Sequence, residues 1–261
     1  MRLQSYLLSA TKSVRSFIFT MIAIVAPFYL LDLGLSELDV GIIIVVSVGI
    51  STTFVYAFSY LKIRLKYRLY ILSTLFSAAL LVLYLFHGIV PFIAAILIGG
   101  ITLSGRDLTP NQSIEQFTIS QYEKEQKSKN MAFSTYNFSS YGSGALAAAV
   151  LFVFTSASYH TLFLFAFLLS LVQFVPYLSV TFPEAIEKKA SRKFDEKTRS
   201  TVSRLAGLFA MDSFGGGLVT TSMITLWFKA VYNISLSTAG LMFIVVCALE
   251  VLVKPIPFKS Q

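Results

Sequence analysis

The chain has 261 residues, of which 56% are hydrophobic and only 13% charged. A soluble domain carries about 25% charged residues, so this composition excludes a water-exposed globular surface and makes the bilayer the main solvent. The net charge of +8 does not point to nucleic acid, because the basic residues are dispersed over several short segments, as membrane orientation requires.

Residues 1–15 have basic ends but no long apolar run and no small-residue cleavage site. They read as a short amphipathic helix at the interface, not as a signal peptide. A helix crossing ~30 Å of hydrocarbon needs about 20 mostly apolar residues. By that measure the chain holds eight spans: Phe17–Leu33, Val40–Tyr60, Leu69–Phe86, Ile89–Leu108, Met131–Thr155, Thr161–Phe182, Leu205–Phe228 and Thr238–Val253. Residues 34–39 and the His87-Gly88 pair are short turns, and Pro91 falls in a first helical turn, where proline is tolerated. Two connections are long and polar, Thr109–Asn130 and Pro183–Arg204. The expected organisation is a six-helix N-terminal transmembrane bundle over 1–182, a cytoplasmic linker over 183–204, and the start of a second bundle with a short cytoplasmic tail over 205–261.

With the N-terminus in the cytoplasm, all but one of the 21 basic residues fall on the inner side; Lys229 is the exception. Adding or removing a span would scramble that parity, so the positive-inside rule supports both the count and the direction. A multi-pass protein of the cell membrane follows as the expectation.

The chain also repeats itself. Phe28-Tyr29, Gly34-Leu35-Ser36 and Gly41 recur as Trp227-Phe228, Asn233-Ile234-Ser235 and Gly240, each offset by 199 residues without a gap. The serines suit helix N-caps, and Gly41 and Gly240 suit close helix packing. Spans seven and eight therefore match spans one and two in the same membrane direction, a parallel repeat of the kind found in one class of secondary transporters.

Four further stretches appear in order: Leu33-Gly34-Leu35-Ser36 with Gly41; Gly105-Arg106-Asp107-Leu108-Thr109-Pro110 with Glu115, Tyr136-Asn137 and Gly142-Ser143-Gly144; Phe182-Pro183-Glu184; and Met211-Asp212-Ser213-Phe214-Gly215-Gly216-Gly217. Together they resemble the major facilitator superfamily of transporters. The resemblance implies an all-α integral membrane protein in which a six-helix bundle is followed by the first two helices of a second. Two departures stand out. Leu61 occupies the place of an aspartate in the family's loop between helices two and three, and the chain carries eight of the family's twelve helices.

Asp212 lies about 10 Å into span seven at 1.5 Å per residue, and a carboxylate at that depth needs a cavity or a partner. The resemblance places its helix along the central cavity, so substrate contact or proton coupling is expected there, with a structural hydrogen bond as the plainer reading. Gly215, Gly216 and Gly217 read as a packing face or a hinge. Arg106 and Asp107 read as a gating pair or as interfacial anchors, and Tyr29 as a cavity-lining candidate. Glu115 is expected to salt-bridge neighbouring helices, Asp32 and Glu250 to be interfacial, and His87 and His160 to be isolated in outer loops.

Neither His-Glu-x-x-His nor a glycine-rich phosphate loop is present, and no histidine lies at the depth of a membrane serine nucleophile. An enzyme is therefore not expected, nor is a metal or cofactor. The functional expectation is a transporter moving a small solute by alternating access, driven by a proton or cation gradient. The alternative is a truncated or non-transporting membrane partner protein that needs a second chain to complete its fold.

Overall fold

Inside hydrocarbon every backbone amide must find its partner within the protein. Among the described residues the chain meets this with eleven helices and no strand. The computed structural model describes residues 2–61, 63–154, 157–183, 195–217 and 219–253. In order the helices are α1 (Leu3–Asp32), α2 (Glu37–Ser59), α3 (Leu65–Leu85), α4 (Ile89–Gly99), α5 (Pro110–Tyr122), α6 (Gln126–Val153), α7 (Tyr159–Val172), α8 (Phe174–Ser179), α9 (Glu196–Gly217), α10 (Thr221–Tyr232) and α11 (Leu236–Val253). Among the described residues four stretches are long and apolar enough to cross a membrane, namely α1, α2, α3 and the α7–α8 stretch; α4 and most of α11 are shorter apolar helices. The protein is an all-α, multi-pass membrane protein.

Helix α1 is the axis of the fold and packs against α2, α5, α6, α7, α8, α10 and α11. Its 30 residues extend roughly 45 Å at 1.5 Å each, the thickness of a bilayer with its headgroups. Residues 3–15, expected as a separate interfacial helix, are instead its first half. The cause is polar: Ser5, Thr11, Lys12 and Arg15 are buried and find partners elsewhere in the bundle.

Pro27 sits inside α1. Proline has no N–H and cannot bond the carbonyl four residues earlier, which leaves the Ala23 oxygen free. The Ser222 hydroxyl of α10 donates to that oxygen at 2.7 Å. One residue thus creates an acceptor and another, 199 positions away, satisfies it.

That spacing is the repeat offset, and the local geometry of the two copies agrees. The turn after α1 has Gly34 at φ 88° and the turn after α10 has Asn233 at φ 47°, both left-handed. Ser36 then caps α2 by accepting from the Asp39 amide at 3.2 Å, and Ser235 caps α11 by accepting from Thr238 at 3.1 Å.

Helices α10 and α11 are joined closely to the first bundle. Leu226, Ala239 and Phe243 share one core with α1, α3, α4, α6 and α7. At Gly240 an added Cβ would sit 2.8 Å from the Ala148 oxygen and the Phe152 nitrogen, so the missing side chain is what lets α11 lie on α6. At Gly41, by contrast, nothing lies within 4 Å of that point.

Four expected segments change form. The polar stretch after Leu108 contains α5, whose Ile114 and Ile119 enter a second, smaller core with Leu8, Leu69, Leu72 and Tyr177. Spans four and seven are each interrupted. Helix α9 begins at Glu196, inside the segment read as linker, while residues 184–194 lie outside the described residues.

The N-terminal end of α1 is pinned by Glu123, which accepts from the Arg2 amide and the Ser5 hydroxyl, each at 2.7 Å, and from Ser128. Burial raises this carboxyl's pKa, but the three hydrogen bonds outweigh it and hold the group below its ordinary value. A depressed carboxylate stabilises the fold above its unfolded pKa, and that stabilisation fades as pH falls through the folded value. Thermal unfolding in detergent should therefore show Glu123→Gln less stable than wild type at pH 7, with the gap closing as pH falls below the carboxylate range. The Pro27–Ser222 arrangement yields a second expectation. Ser222→Ala should cost about 1–2 kcal/mol by leaving a buried carbonyl unpaired. In a Pro27→Ala background, where the helix amide returns, the same change should cost much less; equal costs in both backgrounds would refute the pairing.

Candidate functional site

The two interrupted helices meet. Helix α4 stops at Gly99 and is capped by Gly100 in the left-handed region at φ 58°. Residues 101–109 then run without helical bonds to Pro110, where α5 starts. In the other half α9 ends at Gly217 and α10 begins at Thr221. The Thr221 amide, a first-turn donor with no intrahelical partner, donates to the Ser104 carbonyl at 3.3 Å. Gly105 has φ 81°, and a Cβ there would lie 2.3 Å from the Thr221 hydroxyl oxygen. Only glycine meets both the backbone conformation and the approach.

Irregular backbone at membrane depth is tolerated only where protein or a water-lined space satisfies it. Here hydroxyls do so. Ser47 accepts from the Leu103 amide at 3.0 Å, Thr102 from the Ser104 amide at 3.2 Å, and Thr20 donates to the Gly105 carbonyl at 3.2 Å.

Beside the crossing lies a cavity of about 130 Å³ between α1, α6, α10, α11 and the 101–109 segment. Ser16, Thr20, Ser104, Ser140 and Thr221 bring hydroxyls to it, and Val219, Ile224, Phe243 and Val246 bring apolar surface. Ser16 and Thr20 are about midway along α1, so the cavity sits near the middle of the bundle's thickness. Among the described residues the charged groups of its lining are Arg106 and Glu250. They approach each other at 3.8 Å, from the 101–109 segment and from α11, with side chains 70% and 36% exposed.

The neighbouring Asp107 turns the other way, into a buried cluster toward the N-terminal end of α1. Its carboxylate accepts from Arg15 Nε at 2.9 Å and lies 3.2 Å from Lys12 Nζ. The Arg15 guanidinium also donates to both Glu115 oxygens, at 2.8 and 2.6 Å. Thr11 at 2.8 Å, Tyr136 at 2.6 Å and Tyr177 donate to the same carboxylate. Two cations and two carboxylates leave no net charge. All four are buried, and the tyrosine and threonine hydroxyls fill the remaining acceptor positions, as a buried ion cluster requires. Since Asp107 belongs to the irregular segment, this cluster holds that segment in place.

The sequence candidates are thus distributed. Arg106 lines the cavity, and Asp107 anchors its floor without pairing to Arg106. Glu115 bridges to α1, as its sequence context implies. Tyr29 is buried among Phe92, Tyr159 and Phe163, and its hydroxyl accepts from the Gly88 amide at 2.9 Å; it does not line the cavity. Gly215, Gly216 and Gly217 form the last turn of α9, and the side chain of Asp212 lies outside the described residues. Glu250, read as interfacial, reaches the cavity. Sequence reasoning missed Lys12, Arg15 and Tyr177. The available signal was charge balance: Lys12 and Arg15 in an otherwise hydroxyl-rich stretch match Asp107 and Glu115. His87 and His160, read as isolated, stack with ring centroids 5.4 Å apart. Among the described residues no group of three metal-ligating side chains occurs.

Arginine supplies a rigid fork that a lysine cannot copy. Arg15→Lys should leave part of Glu115 or Asp107 unpaired and destabilise the protein by about 3 kcal/mol or more, read as a fall in thermal stability in detergent with net charge unchanged. An unfolding curve that matches wild type would show the cluster to be dispensable.

No curated protein sequence matches the chain. Residues 8–256 match the Major Facilitator Superfamily, nearly the whole length, including the interrupted helices, the cavity and the buried ion cluster. The chain belongs to the Major Facilitator Superfamily, whose members are membrane transporters.

Proposed function

We propose that this protein moves a small solute across the cell membrane by alternating access, with its N-terminus in the cytoplasm and a proton or cation gradient as the driving force. The observation that carries the reading is the cavity near mid-depth between the repeat-related halves, where two interrupted helices cross. Transporter sites commonly lie at the midplane, at the interface between repeats, on discontinuous helices. In this scheme the halves rock about the cavity. Arg106 faces the solute pathway, Asp107 fixes the segment that carries Arg106, and Tyr29 holds the turn at the far end of α4. Asp212, within the last turns of the helix that leads into the second break, is the candidate for coupling. The organisation read from the sequence, a 1–182 bundle and a second unit from 205 joined by a linker, provides the two bodies, and a second chain is proposed as the complement of that second unit.

Uptake into proteoliposomes tests the reading. Wild type should accumulate solute when an inward proton gradient is imposed and not when the gradient is collapsed. Asp212→Asn should lose the accumulation while retaining exchange of pre-loaded solute. Equal accumulation by both proteins would remove Asp212 from the coupling, and absence of uptake across a broad solute panel would overturn the transport reading.

A further inference from the structure

We propose that the cavity takes a small zwitterion, a neutral amino acid with a compact apolar side chain, whose carboxylate pairs with Arg106 and whose ammonium pairs with Glu250. This deepens the transport reading and rests on the cavity's being the solute site.

Charge bookkeeping carries the argument. Among the described residues the cavity is bordered by one cation and one anion. They come from different halves, Arg106 from the irregular segment after α4 and Glu250 from α11. Glu250 is 14 residues into α11, or about 21 Å at 1.5 Å per residue, well within the thickness of a bilayer. Charges at such depth tend to pair and to mark a solute path. Yet this pair is held loosely. Its closest approach is 3.8 Å, beyond hydrogen-bond range, and both side chains keep exposed surface. The four charges of the Arg15 cluster, at 2.6 to 3.2 Å and fully enclosed, show what a locked pair looks like in this same protein.

A loose, balanced pair has one class of ligand that costs it nothing in net charge. A monoanion would draw Arg106 away and leave Glu250 unpaired beside a second negative charge. A monocation would do the reverse. An uncharged polyol would use the hydroxyls but leave the pair as it stands. A zwitterion replaces one stretched ion pair with two and keeps the site neutral, which a low-dielectric surrounding favours.

Size and surface narrow the class. The volume of about 130 Å³ admits a small solute and no oligomer. Val219, Ile224, Phe243 and Val246 form a patch suited to a short aliphatic side chain, whereas a polyhydroxylated solute would leave that surface without a partner.

The test is equilibrium binding of radiolabelled L-valine to the purified full chain in detergent, competed by isobutylamine and isovalerate, which keep its side chain and lose one charge each. L-Valine and L-alanine should bind, and each single-charge analogue should compete roughly 10–100-fold more weakly. Selectivity separates ligand contact from a merely structural strap. Arg106→Gln should bind valine no better than isobutylamine, and Glu250→Gln no better than isovalerate. Equal competition by the analogues, valine affinity unchanged in both variants, or no amino-acid binding at all would overturn the proposal. Uptake of a sugar or an organic acid without valine binding overturns it and leaves the transport reading standing. Valine binding with the expected selectivity but without uptake supports the site and overturns transport.

Discussion

The structure depends on one constraint: in a medium without water, each backbone N–H and C=O must be paired inside the protein. Continuous helices meet it automatically. Where α4 gives way to residues 101–109 and α9 gives way to α10, the helical ladder is absent and an alternative is needed, since an unpaired peptide group in an apolar surrounding costs several kcal/mol. Ser47, Thr20 and Thr102 supply donors and acceptors to the first break, and the second break pairs directly with the first through Thr221 and Ser104. The breaks are therefore mutually required. Their crossing places polar backbone and hydroxyls at mid-depth, and the cavity is the space beside them.

The same constraint governs the charges. Lys12, Arg15, Asp107 and Glu115 lie on three separate stretches of chain, and each alone would be too costly to bury. Gathered, they form a neutral layer between the two apolar cores: Leu8 of the smaller core and Ile18 of the larger lie on either side of Arg15 along α1. Hydrogen bonds run from α1 to the 101–109 segment and α5 at 2.6 to 3.3 Å, and to Tyr177 of α8. A layer of this kind tolerates little sliding, because displacing α1 by one turn would separate every pair at once. It follows that α1, the 101–109 segment, α5 and α8 are held together as one packed unit, against which α10 and α11 are also closely joined.

Much of this was legible in the residues. Apolar run length located the spans, and the 199-residue offset located the repeat, whose turns and caps agree residue for residue in Gly34 with Asn233 and Ser36 with Ser235. The breaks were not legible, for a physical reason. Ile101 and Leu103 are as apolar as a helix interior and are fully buried, so a hydropathy window passes over them without a signal. Gly99-Gly100 and Gly105 were the available clues, and glycine is common in membrane helices for packing alone. Helix α5 hid for the opposite reason: its outward face is polar, and its few inward residues, Ile114 and Ile119, are too sparse to read as a span. The buried cluster was obscured because Lys12 and Arg15 fit equally well into a positive-inside count, where each cation is weighed by location and not by partner.

The repeat explains packing, and the departures from it explain the site. Ala23 and Ser222 are equivalent under the 199-residue offset and touch each other, which is the contact expected where an approximate two-fold axis passes between two copies. Along the same pair, Thr20 and Met21 of α1 are helical while their counterparts Val219 and Thr220 lie outside α9 and α10. From nearly equivalent positions the two copies grip adjacent carbonyls of one segment: the Thr20 hydroxyl takes that of Gly105, and the Thr221 amide takes that of Ser104. A side chain reaches from the intact helix; a backbone amide, freed by the break, reaches from the other. A fully symmetric pair could not do both, because an unbroken α10 would have no free amide to offer and a broken α1 would lose the rigid span on which the ion cluster is mounted. The asymmetry thus keeps one helix continuous beneath the ion cluster while the other frees a backbone amide for the 101–109 segment.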